Sequence, residues 1–146
     1  MKRAVLLFAL VALACTDPSP SGPIRLTPDQ THFGLPPGGI VEIGFTVRND
    51  ADLAVTWLTC PASAWLERRE GRRWISLRRI ALLCVVNPPT YQIDPGGSRH
   101  DLLGVDDGDG PGLYRIRATV GGPATAQPLE GISAPFTVDR FLTTVR

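Results

Sequence analysis

Hydrophobic and polar residues alternate along several segments of the chain. In segment 40–50, IVEIGFTVRND, every second residue is apolar, and the alternation returns in segment 111–120, PGLYRIRATV. Because successive side chains of a β-strand point to opposite faces, the pattern predicts two half-buried strands. The apolar positions are Val41, Ile43, Phe45 and Val47 in the first segment and Tyr114, Ile116, Ala118 and Val120 in the second.

The residues between these two segments predict further strands. Segment 53–60, LAVTWLTC, is close enough to 40–50 to pair with it as a hairpin. Segment 64–77, AWLERREGRRWISL, predicts a second hairpin that turns at Gly71. The continuous apolar run 80–86, IALLCVV, is typical of a strand buried on both faces.

The rest of the body completes an all-β pattern. Segment 90–105, TYQIDPGGSRHDLLGV, predicts a strand pair or a broken edge strand. Segment 132–140, ISAPFTVDR, predicts a last strand at a sheet edge, because Pro135 cannot donate a ladder hydrogen bond. With 15 glycines, 14 prolines and no long helical period outside the N-terminus, seven or eight short strands in a sandwich are expected.

These segments resemble bacterial immunoglobulin-like domains. The resemblance lies in the strand VEIGFTVRND, the later DPGG turn, and PGLYRIRATV before the closing PFTV. It implies an immunoglobulin-like antiparallel β-sandwich of seven to eight strands over residues 24–140. It also implies that Tyr114 is a corner tyrosine whose hydroxyl bonds to nearby backbone. Ile116 stands where antibody-type domains carry a cysteine, so the antibody disulfide is not expected.

The N-terminus has the layout of a secretory signal. An apolar run of 11 residues, 4–14, follows Lys2 and Arg3. As a helix it would rise about 16 Å, whereas a bilayer core is roughly 30 Å thick. The run is therefore too short to span, and we expect residues 1–14 to be a signal peptide.

The junction Val11 to Cys15, VALAC, resembles the lipobox of bacterial lipoproteins. The resemblance implies that Cys15 carries a diacylglyceryl anchor and that the protein is exported to the cell envelope. Ala12 and Leu13 reverse the usual order of sizes, and the alternative is simple secretion with a free Cys15. Thr16 replaces the Asp that often retains lipoproteins at the inner membrane, which favours the outer membrane in a cell with two.

The segments that flank the body are short. Residues 15–23 combine the attachment cysteine with a Pro/Ser segment that has no large apolar side chain, which predicts an extended tether. Residues 24–140 are enough for one domain with its own core. Residues 141–146 are left as a C-terminal tail.

Three cysteines in an exported chain leave one unpaired. If Cys15 is acylated, Cys60 and Cys84 remain to form a disulfide. That bridge would close a loop of about 25 residues and stabilise the fold by roughly 3.5 kcal/mol. The alternative is two buried thiols.

Charge excludes one class of partner. Without Lys2 and Arg3, 13 basic residues face 14 acidic ones, so the mature net charge is about −1. This predicts no general attraction to nucleic acid.

Six arginines within twelve positions mark a candidate partner surface. Together with two nearby tryptophans they are suited to binding an acidic partner, a phosphate-rich glycan or lipid headgroups, through charge and stacking. The sequence favours the other interpretation, a solvated hairpin face that Glu67 and Glu70 partly neutralise. The candidate surface residues are Trp65, Arg68, Arg69, Arg72, Arg73 and Trp74, with Arg78 and Arg79 completing the six arginines.

Candidate chemistry elsewhere is weak. The cluster Asp106 to Gly110, DDGDG, suggests calcium, but the acids that an EF-hand loop needs at positions 105 and 116 are missing, which favours a turn. Segment 98–101, SRHD, holds Ser98, His100 and Asp101, but adjacent residues on a strand alternate between faces and do not form a relay. No catalytic residue, cofactor or metal site is predicted.

These observations predict a lipid-anchored envelope protein whose sandwich binds a protein or glycan partner or has a structural role, without catalysis. A weaker resemblance, through FTVRNDADLAVTW, LERREGRRW and the PGG turn, is to the BsuPI class of proteinase inhibitors. It implies an alternative function, inhibition of a protease by a surface loop or by the 65–77 hairpin.

Overall fold

The computed structural model describes residues 22–58, 63–77, 89–122 and 127–141. These residues contain β-strands and turns and no helix. The strands are β1 Ile24–Pro28, β2 His32–Leu35, β3 Ile40–Asn49, β4 Val55–Leu58, β5 Ala64–Glu70, β6 Arg73–Ser76, β7 Thr90–Ile93, β8 Ser98–Asp106, β9 Gly112–Val120, β10 Leu129–Ile132 and β11 Phe136–Arg140.

Two main sheets form the sandwich. One has the order β1-β3-β8, and the other has the order β2-β11-β9-β5-β6, with β10 beside β9. A short third sheet pairs β4 with β7. Among the described strands, β2 and β11 pair in parallel and the other pairings are antiparallel. The predicted all-β, immunoglobulin-like sandwich is confirmed.

The inner faces of both sheets supply one core. The alternation predicted for 40–50 and 111–120 is confirmed, since Phe45, Val47, Tyr114 and Ile116 are all buried. Aromatic rings meet edge to face in the pair Phe45 and Trp57, with centroids 6.2 Å apart, and in the pair Phe33 and Phe136, at 5.3 Å.

The predicted hairpin between 40–50 and 53–60 is wrong. β3 has β1 on one edge and β8 on the other, so neither edge is left for β4. β4 instead pairs with β7 in the register Val55 to Ile93. Segment 90–105 does contain two strands, but β7 and β8 belong to different sheets, joined by a turn in which Gly96 has φ 73°.

The predicted last strand is interrupted and does not lie at an edge. Pro135 falls in the gap between β10 and β11, where no ladder hydrogen bond is needed. β11 then lies between β9 and β2. The described residues form eleven strands where seven to eight were expected. The additional strands include β1 and β2, before the first predicted strand, and β10, which lies almost wholly before the last predicted segment.

The register fixes two opposite ends of the sandwich. At one end, which we call the N-terminal pole, Gly22 lies against the backbone of Glu130, which pairs with Thr119 near the end of β9. At the other end, the hairpin pole, the β5–β6 turn lies beyond the pair Arg68 and Tyr114.

Several predictions fall on residues outside the described ranges. They are the signal peptide 1–14, the lipid site Cys15 with most of the tether 15–23, the disulfide cysteines Cys60 and Cys84, Arg78 and Arg79, the strand 80–86, and most of the tail 141–146. Within the described ranges, no helix has the length and hydropathy that a membrane span requires.

Candidate functional site

The predicted hairpin 64–77 is confirmed. β5 pairs with β6 in a register that runs from Glu67 and Ser76 to Glu70 and Arg73. Only Gly71 and Arg72 lie between the last pair, which makes a two-residue turn. Gly71 has φ 59°, a left-handed conformation that favours glycine. The local sequence, with glycine at position 71, therefore accounts for the turn.

Strand alternation divides the predicted partner surface between two faces. Trp65, Arg69 and Trp74 share the outer face, since Arg69 pairs directly with Trp74. Arg68 and Arg73 lie on the opposite face, and Arg72 lies in the exposed turn. The structure therefore does not gather the six candidate residues into one patch.

Two arginines from β9 join the outer face. Arg115 pairs with Glu67 across the sheet, and its Nε donates to Glu67 Oε2 at 2.6 Å. Arg117 Nη1 donates to Glu67 Oε1 at 3.3 Å. Glu67 is only 4% exposed, so two guanidinium groups neutralise a carboxylate that is nearly withdrawn from water.

Arg117 continues this network to β10. Its Nη2 donates to Glu130 Oε2 at 3.0 Å. The hydrogen bond to Glu130 raises the pKa of Arg117, against a smaller opposing effect of burial. The β9 arginines thus form ion pairs that link β9 to the neighbouring strands β5 and β10. The alternation of segment 111–120 shows that they point outward, but not that Glu67 lies opposite.

Trp74 orders the middle of the outer face. The Arg115 guanidinium lies over its ring at 4.3 Å from the centroid, and that of Arg69 at 5.8 Å. Cation–π contacts at these distances favour a fixed indole. Since two cations already contact the ring, Trp74 acts more as a support for arginines than as a platform for a ligand.

Arg68 ties the hairpin to the loop before β9. Its Nη2 donates to Glu70 Oε1 at 2.6 Å, and its Nη1 donates to the Asp109 carbonyl. The hydrogen bond to Glu70 raises the pKa of Arg68, with burial acting in the opposite direction. The Arg68 guanidinium is therefore bonded to groups of the protein itself.

Tyr114 forms the corner that the immunoglobulin-like resemblance implied. Its buried hydroxyl donates to the carbonyls of Gly110 and Asp109, which lie upstream in the same loop. Burial raises the pKa of Tyr114. The corner holds the 106–110 loop against the sheet.

The acidic cluster 106–110 is a hydrogen-bonded turn. Asp109 N–H donates to the Asp106 carbonyl at 3.1 Å and to Asp106 Oδ1 at 3.0 Å. Burial raises the pKa of Asp109, and the nearby Asp106 carboxylate adds to this effect. Among the described residues, no three His, Cys, Asp or Glu side chains are grouped so that they could hold a metal ion.

The SRHD segment separates its polar residues. His100 Nε2 lies 2.8 Å from Asp29 Oδ2, across a stretch of β3 where Gly44 leaves room for both side chains. Asp101 points to the other face and accepts a hydrogen bond from Trp57 Nε1 at 2.7 Å. His100 and Asp101 therefore have separate partners on opposite faces of β8. His32 is exposed on β2, with its Nδ1 3.1 Å from the Thr31 hydroxyl.

The proteins to which the chain is similar are found among solved structures. No protein-family model matches the chain, and no curated protein matches it. Solved structures that are similar include a β-glucosidase from Listeria innocua in complex with glucose, at 12% identity over 81% of this chain with a TM-score of 0.43. The chain spans 16% of the length of that enzyme. The match to a PapD-like domain of human CEP192 covers 96% of this chain and 94% of that domain, at 13% identity and a TM-score of 0.39. Identities this low indicate nothing about substrate or partner.

Proposed function

We propose that the chain is an exported lipoprotein, anchored through Cys15, whose sandwich is a non-catalytic binding module of the cell envelope. The proposed contact surface is the β5–β6 hairpin, and the proposed partner is a protein or glycan. The outer membrane is the proposed location in a cell that has one. The export and anchor parts of the proposal derive from the VALAC junction and the short apolar run before it.

The observation that carries the binding role is the state of Arg72 and Arg73. Both are exposed, and neither makes an ion pair or hydrogen bond within the described parts of the chain. By contrast, the neighbouring Arg68 and the β9 arginines are paired with carboxylates. Arg73 faces Glu70 across the hairpin, but that carboxylate is already bonded to Arg68. Two neighbouring cations that make no ion pair of their own within the described residues favour an external anionic partner.

A photo-crosslinking amino acid tests this proposal in cells. Placed at Arg72 it should yield a discrete covalent adduct in the envelope fraction. Placed at the exposed Arg25, on the opposite pole, it should yield none. Equal adducts from both positions, or none from position 72, would contradict the hairpin as the contact surface. The mass of the native protein, starting at an acylated Cys15, tests the anchor separately.

The alternative proposal is a proteinase inhibitor. It is favoured by the same two arginines, because an exposed basic residue suits proteases that cleave after Arg. In that case the mature protein should slow a panel of envelope proteases at stoichiometric concentration, and Arg72→Ala should abolish the effect. If no protease of the panel is inhibited, the inhibitor proposal is refuted and the binding-module proposal is unaffected.

A further inference from the structure

The position of the hairpin relative to the N-terminus constrains what it can bind. The chain enters the sandwich at Gly22, level with Thr119 of β9. The β5–β6 turn lies three residues beyond the Arg68–Tyr114 pair, at the other end of β9. About eight strand residues separate these levels, which is about 27 Å at roughly 3.4 Å per residue.

This distance matters if Cys15 is anchored in a bilayer. The tether joins the N-terminal pole, so the hairpin pole is the far end of the domain. When the domain stands with its N-terminal pole toward the bilayer, the turn lies about 27 Å farther out, well beyond the Debye length of about 8 Å at physiological salt. In that orientation the lipid headgroups of the anchoring bilayer are poor candidates for Arg72 and Arg73.

The chemistry of the turn narrows the ligand further. Sugar recognition commonly needs an open aromatic face in a concave site, whereas Trp74 is contacted by Arg69 and Arg115 and the turn is convex. What the turn offers is guanidinium groups with their N–H donors in solvent. Such groups pair bidentately with carboxylates.

The surroundings of the turn indicate the direction of approach. Asp106, Asp107 and Asp109 lie at the same pole, and Arg68 stands between that loop and the turn through its bond to Asp109. The loop carboxylates repel an anion on that side. Binding from the β6 side avoids them, since β6 is the last strand of its sheet among the described residues.

We infer that Arg72 and Arg73 bind an acidic peptide segment of a partner protein that lies away from the anchoring membrane. The inference rests on the proposed function, from which it takes the anchor and the hairpin as contact surface. It adds the chemistry of the partner and the side from which it comes. The peptide contact itself does not depend on the lipid.

The test uses the mature chain with Cys15→Ser, which carries no lipid, and a fluorescent ten-residue oligoglutamate peptide. Binding is measured by anisotropy at about 50 mM salt. Arg72→Ala/Arg73→Ala should weaken binding by about threefold or more, because two exposed charge contacts are lost together. The control of equal charge is Arg25→Ala/Arg48→Ala, which removes two exposed arginines at the N-terminal pole. Both are paired with Asp50, and their loss should change affinity less than twofold.

Three results would overturn the inference. The first is absence of peptide binding by the parent protein, or equal losses in the two double variants when thermal unfolding shows both folded. The second is tighter binding to phosphatidylglycerol vesicles or to a uronic acid polymer than to the peptide. The third is a loss of more than tenfold in affinity for the peptide when the lipidated protein is placed in vesicles, since the turn would then face the bilayer. An unacylated Cys15 in native protein would refute the anchor, while the peptide measurement would still test the turn.

Discussion

Removal of the Tyr114 hydroxyl tests how the hairpin pole is held together. The tyrosine ring is fully buried and stacks on Phe136 with centroids 6.1 Å apart. Tyr114→Phe keeps that ring and its apolar contacts. It removes the donor to the carbonyls of Gly110 and Asp109. The substitution therefore isolates the corner hydrogen bond from core packing.

The expected loss follows from which carbonyl is left without a donor. Asp109 keeps the hydrogen bond from Arg68, whereas Gly110 loses the hydroxyl that bonds to it. A hydrogen bond contributes about 0.5–1.5 kcal/mol net, and an unsatisfied carbonyl adds to the cost. Because the loop is only half-buried, water recovers part of this, and we expect a loss of about 1–2 kcal/mol.

Urea unfolding measures this loss as a lower midpoint with an unchanged m-value. The matched control is Tyr91→Phe, which removes the hydroxyl oxygen from a half-buried ring. The Arg99 guanidinium carbon lies 3.3 Å from the centroid of that ring. The control should shift the free energy of unfolding by less than about 0.5 kcal/mol. Equal shifts in the two variants would refute the corner as a stabilising contact.

The pH dependence gives a second, independent readout. Burial raises the pKa of Tyr114 in the folded protein, and the unfolded value is about 10. The unfolded state then loses its proton first, so the stability from this group is complete below pH 10 and falls as pH rises through the folded pKa. Tyr114→Phe lacks this fall. The stability difference between the two proteins should narrow above pH 10, and a difference that widens there would contradict the assignment.

Two further substitutions test the outer face and the sheet contact at the N-terminal pole. Glu67→Gln should lower the free energy of unfolding in urea by about 1–2 kcal/mol. This is less than the loss expected for a fully buried pair, because the side chains of Arg115 and Arg117 are 20% and 32% exposed. A loss no larger than that of the exposed Glu70→Gln would contradict the network. Gly131→Ala should cost about 1–3 kcal/mol in thermal unfolding, because the new Cβ would lie 2.6 Å from the Ile24 carbonyl oxygen. Gly121→Ala is its control, since there the Cβ would meet Thr56 at an ordinary 3.5 Å, and equal costs would refute the close approach.

Strand positions could be predicted from the sequence because alternation is local. The segments 40–49 and 112–120 each carry their own period of two, and both are strands. The hairpin 64–76 could be placed from its turn at Gly71. Partner choice is not local. Segment 53–60 lies next to β3 in sequence, yet β1 and β8 hold both edges of that strand.

The candidate site shows the same division between local and long-range information. The turn at Gly71 follows from two residues, and it could be predicted. The burial of Glu67 depends on Arg115 and Arg117, which lie 48 and 50 residues later and meet it only through the β5–β9 register. No pattern within the hairpin itself reveals that pairing.

Register also changes what a run of arginines means. Along the sequence, Arg68, Arg69, Arg72 and Arg73 form one basic cluster. In the sheet, Arg68 bonds to Glu70 and a loop carbonyl, and Arg69 lies over Trp74 on the other face. Those two charges are therefore engaged by the fold. Within the described residues, Arg72 and Arg73 are the members of the cluster without such partners, so a ligand at this end must be recognised by two cations and not by four.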